Sequence, residues 1–273
     1  MYDVIVIGCG PAGLSAAINV RQRGGSVLCV GLSPENNPLW KAEQIDNYLG
    51  LPGLSGREMM ETFREHAVSM GVEFREERVL NTFPNGDSWM ISAGSDVFEA
   101  YSLVFAGGIT RGKKYPGEEE HLGRGVSYCA TCDGMLYKGK PVTVIGFGPA
   151  DVKEAEFLRG IGCSVRYFEK PVKVEIPGSG NVASVIVDGE EMETSCVFIL
   201  RPSLAPTSLF PGLELDGNYV KVDREMATNL PGLYAAGDCT GTPLQVSKGV
   251  GEGLIAGQKA MAYAVRIKKE KES

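Results

Sequence analysis

Four residues near the middle of the chain, Cys129-Ala130-Thr131-Cys132, carry its plainest chemical signature. Two cysteines with two residues between them let the sulfurs close a small ring, an arrangement suited to reversible oxidation. Zinc would need a second ligand pair at suitable spacing. Cys9, Cys29, Cys163, Cys196 and Cys239 are isolated, and His66 and His121 are far apart in sequence. The pair therefore reads as a redox dithiol, with no metal site. Asp133 follows directly, where a carboxyl group can hand a proton to a departing thiolate. Cys9 and Cys29 stand in or beside apolar runs, where cysteine usually serves as a small core residue.

The second signature is glycine-rich. Gly8-x-Gly10-x-x-Gly13 follows the apolar run Tyr2–Ile7 and opens a helical pattern reaching about Arg23. In that setting the first glycine permits a tight turn and the second lets backbone approach a pyrophosphate. The third permits close packing of helix on strand. Ser26–Val30 then reads as the next buried strand, making a β-turn-α-β unit of the doubly wound kind. The acidic residue that usually holds a ribose should fall near the end of that strand, but Gly31 stands there. Glu35, in the loop beyond, is a poor substitute.

A copy of this unit appears later. Val142–Ala150 echoes Val4–Ala12, and Gly146-Phe147-Gly148-Pro149-Ala150-Asp151 keeps two glycines but has Asp as the third. A carboxylate in the first helical turn suits the macrodipole and repels a pyrophosphate. After the next strand, Ser164–Phe168, Glu169 would oppose a 2′-phosphate and Pro171 follows at once. The second copy thus reads as a scaffold that has lost its nucleotide.

These elements must be held by a body of ordinary composition. The chain has 273 residues, net charge −7 and 43% hydrophobic residues. It lacks a membrane-length apolar run and a basic signal-like start. The acidic balance argues against nucleic acid as a partner. Seven cysteines form no disulfide framework, so a reducing cytoplasm is expected. Strands are expected at Arg78–Phe83, Trp89–Ala93, Val97–Ala100, Leu103–Ala106, Val182–Val187 and Val197–Leu200. Helices are expected over Gly56–Met70 and from Val246, with a frayed tail at Lys268–Ser273.

Together these residues resemble the low-molecular-weight thioredoxin reductases of the flavoprotein disulfide oxidoreductases, over nearly the whole chain. Tyr128-Cys129-Ala130-Thr131-Cys132-Asp133-Gly134 is the most specific part, standing between the N-terminal fingerprint and Gly237-Asp238. The resemblance implies an α/β fold of two Rossmann-like, nucleotide-binding-type domains. A discontinuous FAD domain, 1–111 and 215–273, would enclose an inserted, shortened dithiol domain at 112–214. Gly8, Gly10, Pro11, Ala12 and Gly13 would hold the FAD pyrophosphate. Asn47 would lie near the isoalloxazine, and Val79 would offer backbone to the adenine. Gly107 stands in the Ala-Gly-Gly that replaces the usual Ala-Thr-Gly. Gly237 and Asp238 would meet the ribitol and phosphates, and Gln245 and Val246 the flavin ring. Leu244 replaces the usual Arg before that dipeptide, and Asn36-Asn37-Pro38 stands near the usual Gly-Gly-Gln.

The resemblance also implies roles for the dithiol. Cys132 would face the flavin, Cys129 would attack thioredoxin, and Asp133 would handle the proton. Asp151, Glu169 and the shortening between Phe168 and Val174 remove the family's NADPH signals. In this the chain is similar to the ferredoxin-dependent, clostridial type, which implies ferredoxin as donor, thioredoxin as acceptor and a homodimer. Arg111, Lys113, Lys114, Lys138 and Lys140 are candidates for a basic face toward an acidic ferredoxin. An NADPH-dependent reductase and a flavin dithiol oxidase are the alternatives.

Overall fold

The structure is a computed structural model describing residues 1–109, 114–201 and 205–272, with the side chains of Cys132, Pro149 and Ala150 outside the described set. In chain order, β1 (Tyr2–Ile7), α1 (Pro11–Gln22) and β2 (Val27–Val30) are followed by α2 (Gly56–Ser69). Next come β3 (Glu73–Arg75), β4 (Val79–Asn85), β5 (Ser88–Ala93) and β6 (Asp96–Phe105). Then follow β7 (Val126–Ser127), α3 (Ala130–Asp133), β8 (Pro141–Gly146), α4 (Pro149–Gly160) and β9 (Ser164–Glu169). After these come β10 (Val174–Glu175), β11 (Ser184–Val187), β12 (Glu190–Glu193) and β13 (Cys196–Leu200). The chain closes with α5 (Pro206–Leu209), β14 (Leu215–Asp216), β15 (Tyr219–Val220), β16 (Leu233–Ala235) and α6 (Val246–Glu272).

Two compact units result: Met1–Thr110 with Ser203–Ser273, and Arg111–Pro202. The return to the first unit therefore comes before residue 215, where the sequence reading places it. Leu209, Phe210 and Leu213 explain why. They are buried in one apolar cluster with Trp89, Phe105 and Leu233 of the first unit. Phe210 meets the Trp89 and Phe105 rings edge-on at 5.9 and 5.6 Å. The expected crossing at Gly112 lies outside the described residues.

In the first unit the sheet order is β3-β2-β1-β6-β5-β4, with β16 also on β6. Strands β3, β2, β1, β6 and β16 pair in parallel, while β4, β5 and β6 form an antiparallel meander. From Val4 onward β1 is apolar and buried on both faces, as is β2, which a covered parallel sheet requires. Helix α1 packs along α6 at close range. A Cβ at Gly253 or Gly257 would collide with the Ala12 or Ala16 carbonyl. Helix α2 opens on a capping box, with Ser55 N–H donating to Glu58 Oε2 at 2.8 Å and Glu58 N–H to Ser55 Oγ at 3.3 Å.

The two strands expected at Val97–Ala100 and Leu103–Ala106 are one strand, β6. Ser102, in the gap between those two expected strands, is fully buried and its hydroxyl donates to the Ala260 carbonyl at 2.9 Å. The tail expected to fray is helical to Glu272, where Lys268 pairs with the buried Asp3. The second unit has a parallel sheet β7-β13-β8-β9 and an antiparallel sheet β10-β11-β12. Among the described residues no helix is long and apolar enough to cross a membrane.

Candidate functional site

The first fingerprint forms a cradle that side chains cannot enter. Gly8 has φ +111° and a Cβ there would collide with the Ala106 carbonyl and lie 3.1 Å from the Gly107 nitrogen. A Cβ at Gly13 would collide with the Gly8 carbonyl. The end of β1, the start of α1 and the end of β6 thus touch backbone to backbone. Gly10 caps α1 without a side-chain hydrogen bond, Pro11 opens the helix, and its first turn holds no acid. Such a helix end presents N–H groups and partial positive charge toward an anion, so these residues fit a dinucleotide pyrophosphate.

Other predicted residues gather here. Gly237, with φ +90°, lies so close to α1 that a Cβ would sit 2.8 Å from Ala12 Cβ. It precedes the 3-10 turn Asp238–Thr240. Asn47 Nδ2 donates to Gln245 Oε1 at 2.7 Å, which joins two residues 198 apart in sequence, and Val246 begins α6 beside them. Val79 is buried at the start of β4, in one cluster with Ile7, Leu28 and Val30. Glu35 lies exposed in the turn Pro34–Asn36.

Several neighbours escape sequence reading. Asn37 Nδ2 would sit 2.8 Å from a Cβ at Gly10, so the loop after β2 packs its amide on the fingerprint. Lys248 and Glu252, one turn apart on α6, brace the Gly237 turn. Lys248 Nζ donates to the Gly237 and Gly241 carbonyls at 2.8 Å each, and Glu252 accepts the Gly237 N–H at 2.8 Å. Their i, i+4 spacing was a readable signal of a pair; their target was not.

The dithiol segment spans α3. Cys129 is disulfide-bonded, with its side chain buried; the side chain of Cys132 lies outside the described residues. Ser127 organises this stretch. Its Oγ accepts the Cys129 N–H at 3.1 Å and stands 2.7 Å from Asp133 Oδ2 and 3.2 Å from the Cys129 carbonyl. A hydroxyl has one proton, and the shorter contact, to Asp133, takes it. Glu154, on α4, accepts the Ala130 N–H at 3.1 Å. Cys129 Sγ lies 3.3 Å from Thr131 Oγ1. Behind this segment, burial holds the Cys196 thiol well above its ordinary value, against the lowering pull of a hydrogen bond from Tyr137. Tyr137 itself is pushed up to about 12, chiefly by burial.

The second fingerprint is occupied by its own helix. Asp151 is 3% exposed, and its Oδ2 accepts the Phe147 N–H at 2.7 Å and the Gly148 N–H at 3.0 Å. Those are the donors a pyrophosphate would need. A Cβ at Gly146 would collide with the Tyr167 hydroxyl, so β9 packs its ring on the turn. At the neighbouring end of β13, Arg201 forms a buried, bidentate pair with Glu118 at 2.6 and 2.8 Å. Its guanidinium faces the Tyr115 and Phe147 rings at 4.9 and 5.8 Å. Glu118 also accepts the Tyr128 hydroxyl at 3.0 Å. The carboxyl ends of parallel strands are where a doubly wound sheet binds its ligand, and here the chain's own side chains fill them.

Of the expected basic face, Lys114 is paired with Glu119, Lys140 lies over the Tyr137 ring and Lys138 is exposed. Arg111 and Lys113 fall outside the described residues.

Comparison with known proteins agrees with this geometry. The Pyridine nucleotide-disulphide oxidoreductase family matches residues 2–177 and 169–253. A thioredoxin reductase of Aquifex aeolicus is 34% identical over 275 residues, covering 87% of this chain and 85% of that protein. The crystal structure of a ferredoxin-flavin thioredoxin reductase from Clostridium acetobutylicum superposes with a TM-score of 0.92 at 38% identity, over 98% of each chain. A thioredoxin reductase from Gloeobacter violaceus gives 0.84 at 30% identity, covering 99% of this chain and 95% of that one. A fingerprint shaped for a pyrophosphate, a dithiol segment in the inserted unit and these likenesses lead to one conclusion: the chain belongs to the low-molecular-weight thioredoxin reductase family, whose members are FAD-binding flavoproteins.

Proposed function

We propose that this chain reduces thioredoxin with electrons from a reduced ferredoxin, and that no nicotinamide nucleotide takes part. The observation that carries the reading is Asp151, whose carboxylate holds the Phe147 and Gly148 N–H groups. A nucleotide could take those donors only by displacing a buried carboxylate and overcoming the repulsion between two anions. The Glu118–Arg201 pair supports the same reading, since a cation that could meet a phosphate is already neutralised. The Clostridium acetobutylicum neighbour adds a relative whose own description names ferredoxin.

Bound FAD supplies the junction between one-electron supply and two-electron delivery. In this reading Gly8, Gly10, Pro11, Ala12 and Gly13 grip its pyrophosphate, and Asn47, Gly107, Gly237, Asp238, Gln245 and Val246 complete the cradle. By the family pattern Cys132 would be the cysteine that takes electrons from the flavin. Cys129 attacks the disulfide of thioredoxin to form a mixed disulfide, which Cys132 resolves. Asp133, held by Ser127, delivers a proton to the departing thiolate.

Anaerobic mixing of the oxidised holoenzyme with NADPH, NADH and reduced ferredoxin in turn tests the donor. Ferredoxin should bleach the flavin absorbance within turnover time, and neither nicotinamide should. Bleaching by NADPH at turnover rates would replace this reading with an NADPH-dependent reductase, and steady peroxide formation from small dithiols would favour an oxidase.

A further inference from the structure

Cys9 and Cys29, which the sequence treats as packing residues, meet in the first unit. Their sulfurs lie 3.3 Å apart. Cys9 is the second residue of the fingerprint, and Cys29 lies on β2, one strand over. The two differ in access: Cys9 is half-buried and Cys29 fully buried. Two of the remaining free cysteines, Cys163 and Cys239, instead make their close contacts to backbone carbonyls, of Tyr137 and Ala236. Gly31 makes the room for this pair. A Cβ at Gly31 would stand 3.0 Å from both the Cys9 nitrogen and its sulfur. The residue type that departs from the ribose-binding pattern is therefore the one that leaves space for Cys9.

We propose that Cys9 and Cys29 form a second disulfide-forming site, oxidised by hydrogen peroxide and separate from the Cys129 dithiol. The sulfurs must close from 3.3 Å to a bond of about 2.05 Å, a short movement for two side chains on a turn and its neighbouring strand. Cys9, the accessible partner, attacks one peroxide oxygen. The O–O bond breaks, a sulfenic acid forms on Cys9, and one water leaves. The Cys29 sulfur then attacks the Cys9 sulfur. The S–O bond breaks, the hydroxyl leaves as a second water with the Cys29 proton, and the S–S bond forms. Two thiols lose two electrons and one peroxide becomes two waters. Until then Cys29 waits as a thiol: its hydrogen bond with Cys9, then burial, hold it well above its ordinary value. The product ties the fingerprint turn to β2.

The test uses the flavin-loaded Cys129→Ser/Cys132→Ser protein, so that the first dithiol neither consumes peroxide nor exchanges. After peroxide treatment, thiols are alkylated under denaturing conditions and the protein is digested with trypsin without reduction. Residues 1–21 and 24–41 form separate tryptic peptides, each with one cysteine. The expected result is a linked pair of these peptides and a fall in alkylated thiols from the five free cysteines to three. Cys9→Ser, with flavin absorbance as the check on folding, should abolish the link. Five thiols remaining, or Cys9 passing to a sulfinic acid with no linked peptide, would overturn the proposal.

Discussion

The chain writes one strand-turn-helix unit twice, and the two copies part at their first helical turn. In the first copy α1 starts at Pro11 with no acid and no side-chain cap, and glycines clear the approach. In the second, Asp151 folds back on the turn and takes its N–H groups. The backbone plan is the same; the ligand differs. In the proposed reading a nucleotide answers one set of helix-end donors; a carboxylate of the chain answers the other. Anion sites at helix ends are thus easily converted to self-capped turns. Fold alone does not report how many nucleotides such a protein holds.

The largest break in this comparison should come from the first copy. Gly13→Val puts side-chain atoms into the Gly8 carbonyl and should leave the protein almost without flavin, read from absorbance after purification. Asp151→Ala should leave flavin content unchanged. Next in size is the ion pair at the end of β13. Arg201→Leu leaves the buried Glu118 carboxylate without its cation and should destabilise the second unit by about 3–5 kcal/mol. Limited proteolysis should register this within residues 114–201, while the flavin signal of the first unit persists. Arg201→Leu with Glu118→Leu should recover most of the loss.

Asp151→Ala removes a cap and should cost about 0.5–2 kcal/mol, read as a shift in the denaturant midpoint of the second unit. A smaller effect is expected at the foot of β1. Asp3 is desolvated, but Lys268 and the Ser26 N–H and hydroxyl outweigh that and hold its carboxyl below the ordinary range. A depressed carboxyl stabilises the fold above its unfolded value, about 3.9, and the contribution is lost as pH falls through its folded value. Asp3→Asn should therefore cost on the order of 1 kcal/mol at neutral pH, and the difference from the parent should vanish toward pH 2. Lys138→Glu/Lys140→Glu should slow ferredoxin-driven turnover a few-fold at low salt and less at high salt.

What the sequence discloses is mostly local. The glycine turns, the carboxylate at Asp151 and the dithiol segment are patterns within a few residues of each other, so spacing alone carries them. Ser127 stood two residues before Cys129 and went unread, because a hydroxyl shows no role until its partner Asp133 is placed. Glu118 and Arg201 are 83 residues apart, and nothing in either neighbourhood points to the other. Ser102 shows a related limit: it stands in the gap between the two expected strands, and a carbonyl from a distant helix, that of Ala260, receives its proton within β6. The Cys9–Cys29 contact was equally hidden, since each cysteine alone stands in or beside an apolar run.

The central claim is that one fingerprint takes a nucleotide and the other takes its own carboxylate. Equilibrium dialysis of the flavin-loaded protein against labelled NADPH tests it most directly. The expected result is one FAD per chain and no bound NADPH, even at about millimolar ligand, where ordinary enzyme sites fill. One NADPH bound per chain at micromolar concentration, with FAD retained, would contradict it.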